Sequence, residues 1–442
     1  MTITTLIQQF RQSVYQILSK RADAALDFID ALTVAGHVSS PVALSEEVPF
    51  RRKFGSIYDV LSEARLDESK LRSTLAEYQP NECETNCGYE VHVVDATPDE
   101  REEAETLEDR VNLKAQKNEP VRVGQKFSWL VRLVKQNTSW VAPLDVRRIK
   151  SESTDSKTAV EQIELLAGQN ERPKVVVADS LYANVVFLAV FLVVKNVIAL
   201  VRLRSTANLY EEPKPKAPGS RGAPRKHGAT FKMKAPAREP DRAETFFLGL
   251  QKIRLSAWHK LHFRKLPKLV GLALRVEFLK ADGSLRYQRP MWLFWTGPET
   301  VALPEMCRMY LWRFAIEHAF RFMKQHLGLN AHCLANNDEI QRWMWLCTLA
   351  YWQLLLMGKQ VEDLSPAWYP AKRDSENKAL LTPGQVQRGA GRFIAKLGTP
   401  ASAPTAAGKG CGRAKGYKPA PRKRHGVVRK GQNDPKRASA TP

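Results

Sequence analysis

The chain has 442 residues, 43% of them hydrophobic, and a formal net charge of +22 from 68 Lys+Arg against 46 Asp+Glu. That length calls for about two to four structural units with a sizeable core. The charge excess points to a polyanionic partner and away from a neutral surface. It is concentrated in two places: residues 405–442 carry +10 and residues 213–238 carry +8, leaving a body that is only mildly basic. The six cysteines are scattered, and Cys83 and Cys87 form a C-x3-C with no second pair nearby, so neither a zinc site nor a disulfide framework is expected. The start, MTITTLIQQF, lacks the basic-then-apolar pattern of a secretory leader. The most apolar stretch, Val185–Val201, is broken by Lys195 and Asn196, and reads as a short buried helix followed by a buried strand, not a membrane span.

In chain order, residues 1–85 repeat apolar positions at helical spacing and predict a helical domain. Helical N-terminal domains often bind DNA, and that role is expected of this one although no residue in it specifies DNA. From Gly88 the pattern changes. YEVHVV (89–94) alternates like a strand that ends at Asp95, and an acid-rich loop follows, with seven Asp/Glu between Pro98 and Arg110. Strands are expected at 127–134 and 139–146, then a helix over 153–168 that starts near Thr154. KVVVA (174–178) is a buried-strand run that ends at Asp179. A helix and a strand at 197–202 complete an α/β sheet, and such sheets place their sites beyond the strand ends. Residues 205–302 interrupt this order with a Pro/Lys/Arg/Gly run and strand candidates at 245–255, 269–279 and 291–296. Helices resume near Leu303 and Asn337, and beyond Gly384 the chain becomes Gly/Pro/Ala/Lys-rich, which predicts disorder.

The most informative segment is Tyr310–Lys324, YLWRFAIEHAFRFMK. On one continuous helix, Tyr310, Arg313, Glu317, Arg321 and Lys324 form a narrow polar stripe, while apolar side chains cover most of the remaining circumference. An Arg313–Glu317–Arg321 ladder would contribute only about 0.2–0.5 kcal/mol per pair, little reason to bury charge. A phosphate and metal site accounts for the stripe better.

Y-x2-R-x3-E-x6-K, matched by Tyr310, Arg313, Glu317 and Lys324, resembles the signature of bacterial insertion-sequence DDE transposases that carry a β-rich insertion. Asp95 in VVDATP and Asp179 in VVVADSLYA are similar to that family's two aspartates, and the run GAPRKHG (222–228), with Arg225 and Lys226, looks like its basic loop. The position after Tyr182 is Ala183 where the family usually has Gly, a substitution that would matter if φ there were positive.

The resemblance implies a ribonuclease-H-like α/β core over residues 88–204 and 303–360, interrupted by a β-rich insertion at 205–302. A helical N-terminal domain at 1–85 and a C-terminal region at 361–442 with a disordered basic tail complete it. It also implies two Mg²⁺ ions, replaceable by Mn²⁺, held by Asp95, Asp179 and Glu317 for metal-dependent DNA cleavage and strand transfer. Arg313, Lys324 and Tyr310 would contact DNA beside the cut, with Arg225 and Lys226 on the backbone. The implied partners are double-stranded DNA, as inverted-repeat ends and as target, and a second copy in a synaptic dimer, in the bacterial cytoplasm at the nucleoid. A second reading keeps the DNA binding but not the catalysis: an inactive protein derived from a transposase.

Overall fold

A computed structural model describes residues 3–79, 85–113, 120–134, 138–215, 223–358, 360–364, 381–406, 412, 414–418 and 420–429. Cys83, Cys411, the start of the basic loop at Gly222 and the end of the tail, 430–442, lie outside these residues.

The helical N-terminus holds α1 (Ile3–Ile17), α2 (Ala22–Val34), α3 (Gly55–Glu63) and α4 (Glu68–Glu77), with two short strands, β1 (Leu18–Lys20) and β2 (Arg65–Leu66), paired antiparallel. The central strands are β3 (Glu90–Glu100), β4 (Val111–Asn112), β5 (Val123–Leu133) and β6 (Val141–Arg148), then, after α5 (Asp155–Ala167), β7 (Lys174–Ala178). One turn of helix, α6 (Val185–Leu188), and a 3₁₀ turn (Ala189–Leu192) lead to β8 (Val197–Leu203). The next strands are β9 (Asn208–Glu211), β10 (Thr230–Lys232), β11 (Arg242–Leu248), β12 (Gln251–Phe263), β13 (Leu266–Leu279) and β14 (Met291–Trp295). Helices α7 (Leu303–Trp312), α8 (Ala315–Gln325), α9 (Asn337–Met357) and α10 (Pro383–Leu397) follow.

Strands β3 to β14 make one 12-stranded mixed sheet in the order β10-β9-β12-β13-β14-β8-β7-β3-β5-β4, with β11 on β12 and β6 on β5. Pairing is parallel from β3 to β7 and from β7 to β8, and antiparallel elsewhere. All five residues of β7 are buried, as an apolar parallel strand covered on both faces requires. Helix α5 starts where Thr154 caps it, its side chain accepting from the Lys157 backbone N–H. A mixed sheet flanked by helices makes the chain an α/β protein.

Four features depart from the sequence reading. Strand β3 does not end at Asp95: its pairing with β7 stops at Val93, but its pairing with β5 runs on to Glu100. The strands of 208–295 extend the central sheet, because β14 pairs with β8 over Trp292–Trp295. The 245–255 candidate is a hairpin, β11 to β12, turning at Gly249, whose φ is +59°. The region after Gly384 is not uniformly disordered, since α10 begins in a Thr382–Gln385 capping box with Pro383 in its first turn and packs on α2 and α9.

Helix α9 is buried nearly all round, from Trp343 through Leu354, and acts as the axle of the helical side. The N-terminal helices α1, α2 and α3 pack directly on it. Gly328, just after α8, has φ +62°, and a Cβ there would stand 2.8 Å from Val38 Cβ, Cγ1 and O. Gly328→Ala is therefore expected to cost about 3 kcal/mol or more from left-handed strain plus overlap, read as a lowered urea midpoint at unchanged slope. An unchanged midpoint would show that this junction gives way freely.

Trp258, Trp292 and Trp295 are core residues: Trp258 is 1% exposed, stacks at a tilt 5.3 Å from Trp292, and donates its indole N–H to the Arg238 carbonyl. No helix among the described residues is long and apolar enough to cross a membrane.

Candidate active site

The two aspartates owe their proximity to the parallel ladder. Asp179 is the first residue past β7, and Asp95 lies two residues past the last β3–β7 pair, Val93 with Val177. Both side chains thus emerge where adjacent parallel strands stop pairing, the usual location of a site in an α/β sheet. Asp179 Oδ1 accepts from the Leu181 N–H at 2.8 Å, which fixes a tight turn, and Asp95 Oδ1 accepts from the Ala96 N–H at 2.8 Å.

Glu317 arrives from α8. The Tyr310–Lys324 segment is not one continuous helix: α7 stops at Trp312, and Arg313 and Phe314 form a tightened junction. There the backbone bonds skip three residues instead of four, with Arg313 N–H to Tyr310 O, Phe314 to Leu311, Ile316 to Arg313 and Glu317 to Phe314. A 3₁₀-like turn places residues three apart over one another, so Tyr310 and Arg313 share a face, and the Arg313 guanidinium lies 5.8 Å from the Tyr310 ring centre.

Arg313 is the hub. Its Nη1 donates to Asp95 Oδ2 at 3.1 Å and its Nη2 to Glu317 Oε1 at 2.9 Å. Burial disfavours the charge on Arg313, but Asp95, Tyr310, Glu317 and Asp179 outweigh it and raise its pKa. The Asp95 carboxyl is pushed up to about 6, first by burial, then by the negative charges of Asp179 and Glu317, against the opposing pull of Arg313 and the Ala96 N–H. The Tyr310 hydroxyl is also pushed up, by burial first and by Asp179, with Arg313 and Arg202 opposing. Tyr310, Arg313, Glu317, Asp95 and Asp179 therefore share one electrostatic neighbourhood.

The other sequence candidates lie elsewhere. Lys324 is half-buried near Asp99 and Glu100, farther along β3; burial lowers its pKa while those two acids oppose the shift. Arg225 and Lys226 are exposed on the loop before β10, and Arg321 is exposed on α8. Ala183 is not among the residues of positive φ, so nothing in its backbone demands glycine.

Two participants were not anticipated. Tyr182, fully buried, lies in the field of Asp95 and Asp179, its pKa raised by burial first and then by those acids. Arg202 on β8 acts on Tyr310, and its only signal in sequence is a cation within the apolar run VIALVRL. Beside the α7–α8 junction opens a cavity of about 480 Å³ lined by Arg308, Trp312, Phe314, His318 and Leu248.

The donors fit a hard divalent cation in kind, since all three are carboxylates and their mutual repulsion at Asp95 is a deficit of positive charge. Among the described residues no three acids, histidines or cysteines stand close enough to hold an ion together; Arg313 bridges Asp95 and Glu317 instead.

Fold and site define an α/β protein with two aspartates where adjacent parallel strands stop pairing, and a helical glutamate joined to one of them through Arg313. Residues 13–264, more than half of the chain, match the DDE superfamily endonuclease family, and the chain belongs to that family. Asp95 and Asp179 lie inside the matched span and Glu317 beyond it. The structure is also similar, at a TM-score of 0.40 and 10% identity over 90% of this chain and 80% of the other, to a piggyBac transposase in its synaptic complex with hairpin DNA. No curated protein matches the sequence.

Proposed function

We propose that the chain is a DNA transposase of the bacterial insertion-sequence type, which binds the ends of its own mobile element as a dimer and cuts and rejoins DNA. The observation that carries this reading is Arg313, which reaches Asp95 across 218 positions of sequence, joins it to Glu317, and does so beside Asp179. Membership of an endonuclease family supports it independently. The proposed units are a helical segment at 1–85, a ribonuclease-H-like core at 88–204 and 303–360, a β-rich part at 205–302 and a C-terminal region at 361–442.

Asp95, Asp179 and Glu317 would hold two Mg²⁺ ions, or Mn²⁺ in their place; bound there, such ions activate a water or a 3′-hydroxyl and stabilise the leaving oxygen. The protein's own part is positioning. Arg313 exchanges its carboxylate partners for a phosphate, which its planar fork can grip at two oxygens. Tyr310 packs against that guanidinium and fixes its plane. Lys324, about two helical turns along the same face of α8 from Glu317, meets the backbone farther from the cut, and Arg225 and Lys226 on the exposed loop hold a more distant stretch of duplex.

The test uses DNA flanking the gene. Labelled duplexes carrying the terminal inverted repeats are incubated with purified protein in Mg²⁺ or in EDTA. Mg²⁺-dependent cleavage at the repeat tip is expected. Binding without cleavage, in Mg²⁺ and in Mn²⁺ alike, would overturn the catalytic reading.

A further inference from the structure

The basic C-terminal segment is not a free tail over its described part. Residues 422–428 lie along the acid-rich loop that joins β3 to β4. The His425 N–H donates to the Glu105 carbonyl at 2.7 Å and the Val428 N–H to the Arg110 carbonyl at 2.7 Å, and Val428 forms a parallel bridge with Val111. Arg110, 4% exposed, organises both partners: its Nη1 donates to the Arg101 and Glu102 carbonyls at 3.1 and 2.7 Å, and its Nη2 to the His425 carbonyl at 3.0 Å. Around this frame the Arg424 guanidinium stands 3.1 Å from Glu105, and the His425 imidazole lies 3.3 Å from Glu108.

The contact is specific in register but weak in strength. Arg424 is 80% exposed, and Glu105 and Glu108 more than half exposed, so these pairs are screened by salt and contribute little. The loop exposes four acids, Glu102, Glu103, Glu105 and Glu108, beside a segment that carries Arg422, Lys423, Arg424 and Arg429. A DNA duplex offers a denser row of negative charge than the loop does, and binding to it releases condensed counterions.

We propose that residues 422–428 form a reversible strap: the acidic loop holds the segment's cations until a DNA duplex replaces the loop's carboxylates as their counterion. The loop thereby acts as a built-in competitor that weakens non-specific DNA binding. The inference rests on DNA being the partner, as in the proposed function, but not on catalysis.

Hydrogen exchange on the full chain tests the strap, comparing wild type with the double substitution Glu105→Gln/Glu108→Gln, both exposed positions. Without DNA, the His425 and Val428 amides are expected to exchange roughly twofold to fivefold faster in the variant. A short duplex of arbitrary sequence is expected to bind the variant roughly threefold to tenfold more tightly at low salt, and to speed exchange of the same two amides in wild type. Equal exchange in variant and wild type without DNA would overturn the electrostatic latch. Equal DNA affinity, or amides that stay protected in saturating DNA, would overturn the release. Failure of both proteins to bind DNA would overturn the choice of partner and the function proposed above, while the DNA-free exchange would still report on the latch separately.

Discussion

Asp95→Asn should leave a protein that no longer cleaves DNA yet is harder to unfold at neutral pH. On the proposed function Asp95 would help hold the catalytic ions, and its loss would remove several kcal/mol of transition-state stabilisation, so cleavage in Mg²⁺ should fall by about a thousandfold or more. The stability gain follows from the Asp95 carboxyl being pushed up to about 6 by burial and by Asp179 and Glu317. An acid whose folded pKa is raised lends its full stability below the unfolded value near 4 and loses it as pH rises to about 6. Relative to the Asn variant, wild type should lose stability across that window and then level off. The difference is at most about 3 kcal/mol and is trimmed because the Asp95 side chain is 21% exposed. Calorimetry of both proteins between pH 4 and pH 7 checks it without any substrate. Parallel melting curves across the whole range would refute the strained carboxylate cluster, whatever the cleavage assay gives.

Arg11→Ala should be the most damaging single change on the helical side, at about 3–5 kcal/mol. Arg11 on α1 and Asp30 on α2 are each 2% exposed and form a two-point ion pair. Arg11 also donates to Gln353 on α9 at 2.6 Å and to the Gly398 carbonyl at 3.1 Å, and Gln353 donates to Asp30 at 3.0 Å. The substitution strands the Asp30 charge in the interior, which costs far more than the pair itself contributes. Pairing Arg11→Met with Asp30→Leu should recover most of the loss, since an apolar pair of similar volume carries no desolvation penalty. Urea unfolding of the two single variants and the double variant measures the coupling. A double variant as unstable as Arg11→Ala would mean that the Gln353 and Gly398 bonds, not charge, hold this junction.

The elements that could be read from sequence were those decided locally. KVVVA gives β7 because four successive apolar residues, Val175–Ala178, between polar flanks suit a covered strand, and Thr154 gives the start of α5 because its hydroxyl caps the first turn. The extension of β3 past Asp95 was hidden because it depends on β5, a partner reached only through the chain between them, while residues 95–100 alternate too weakly to announce a strand. Helix α10 was hidden because its buried face, Val386, Ala390 and Ile394, is thin and set among Gly, Arg and Lys. At the site, spacing alone allowed the Arg313–Glu317 pair, which the structure contains at 2.9 Å. The break at Arg313–Phe314 was not legible, because every residue there is compatible with a straight helix and the tightening is set by packing. The reach from Arg313 to Asp95 is a tertiary fact that no local pattern encodes.

The bond ladder between β14 and β8 also limits how such a chain can be shortened. Were residues 208–295 cut out, β8 would keep β7 on one side and present bare N–H and C=O groups on the other. Its sequence, VIALVRL, is apolar and β-branched, the composition most prone to recruit strands from other molecules. The segment is therefore not a removable module. Any lineage that trims it must supply another strand to cover that edge.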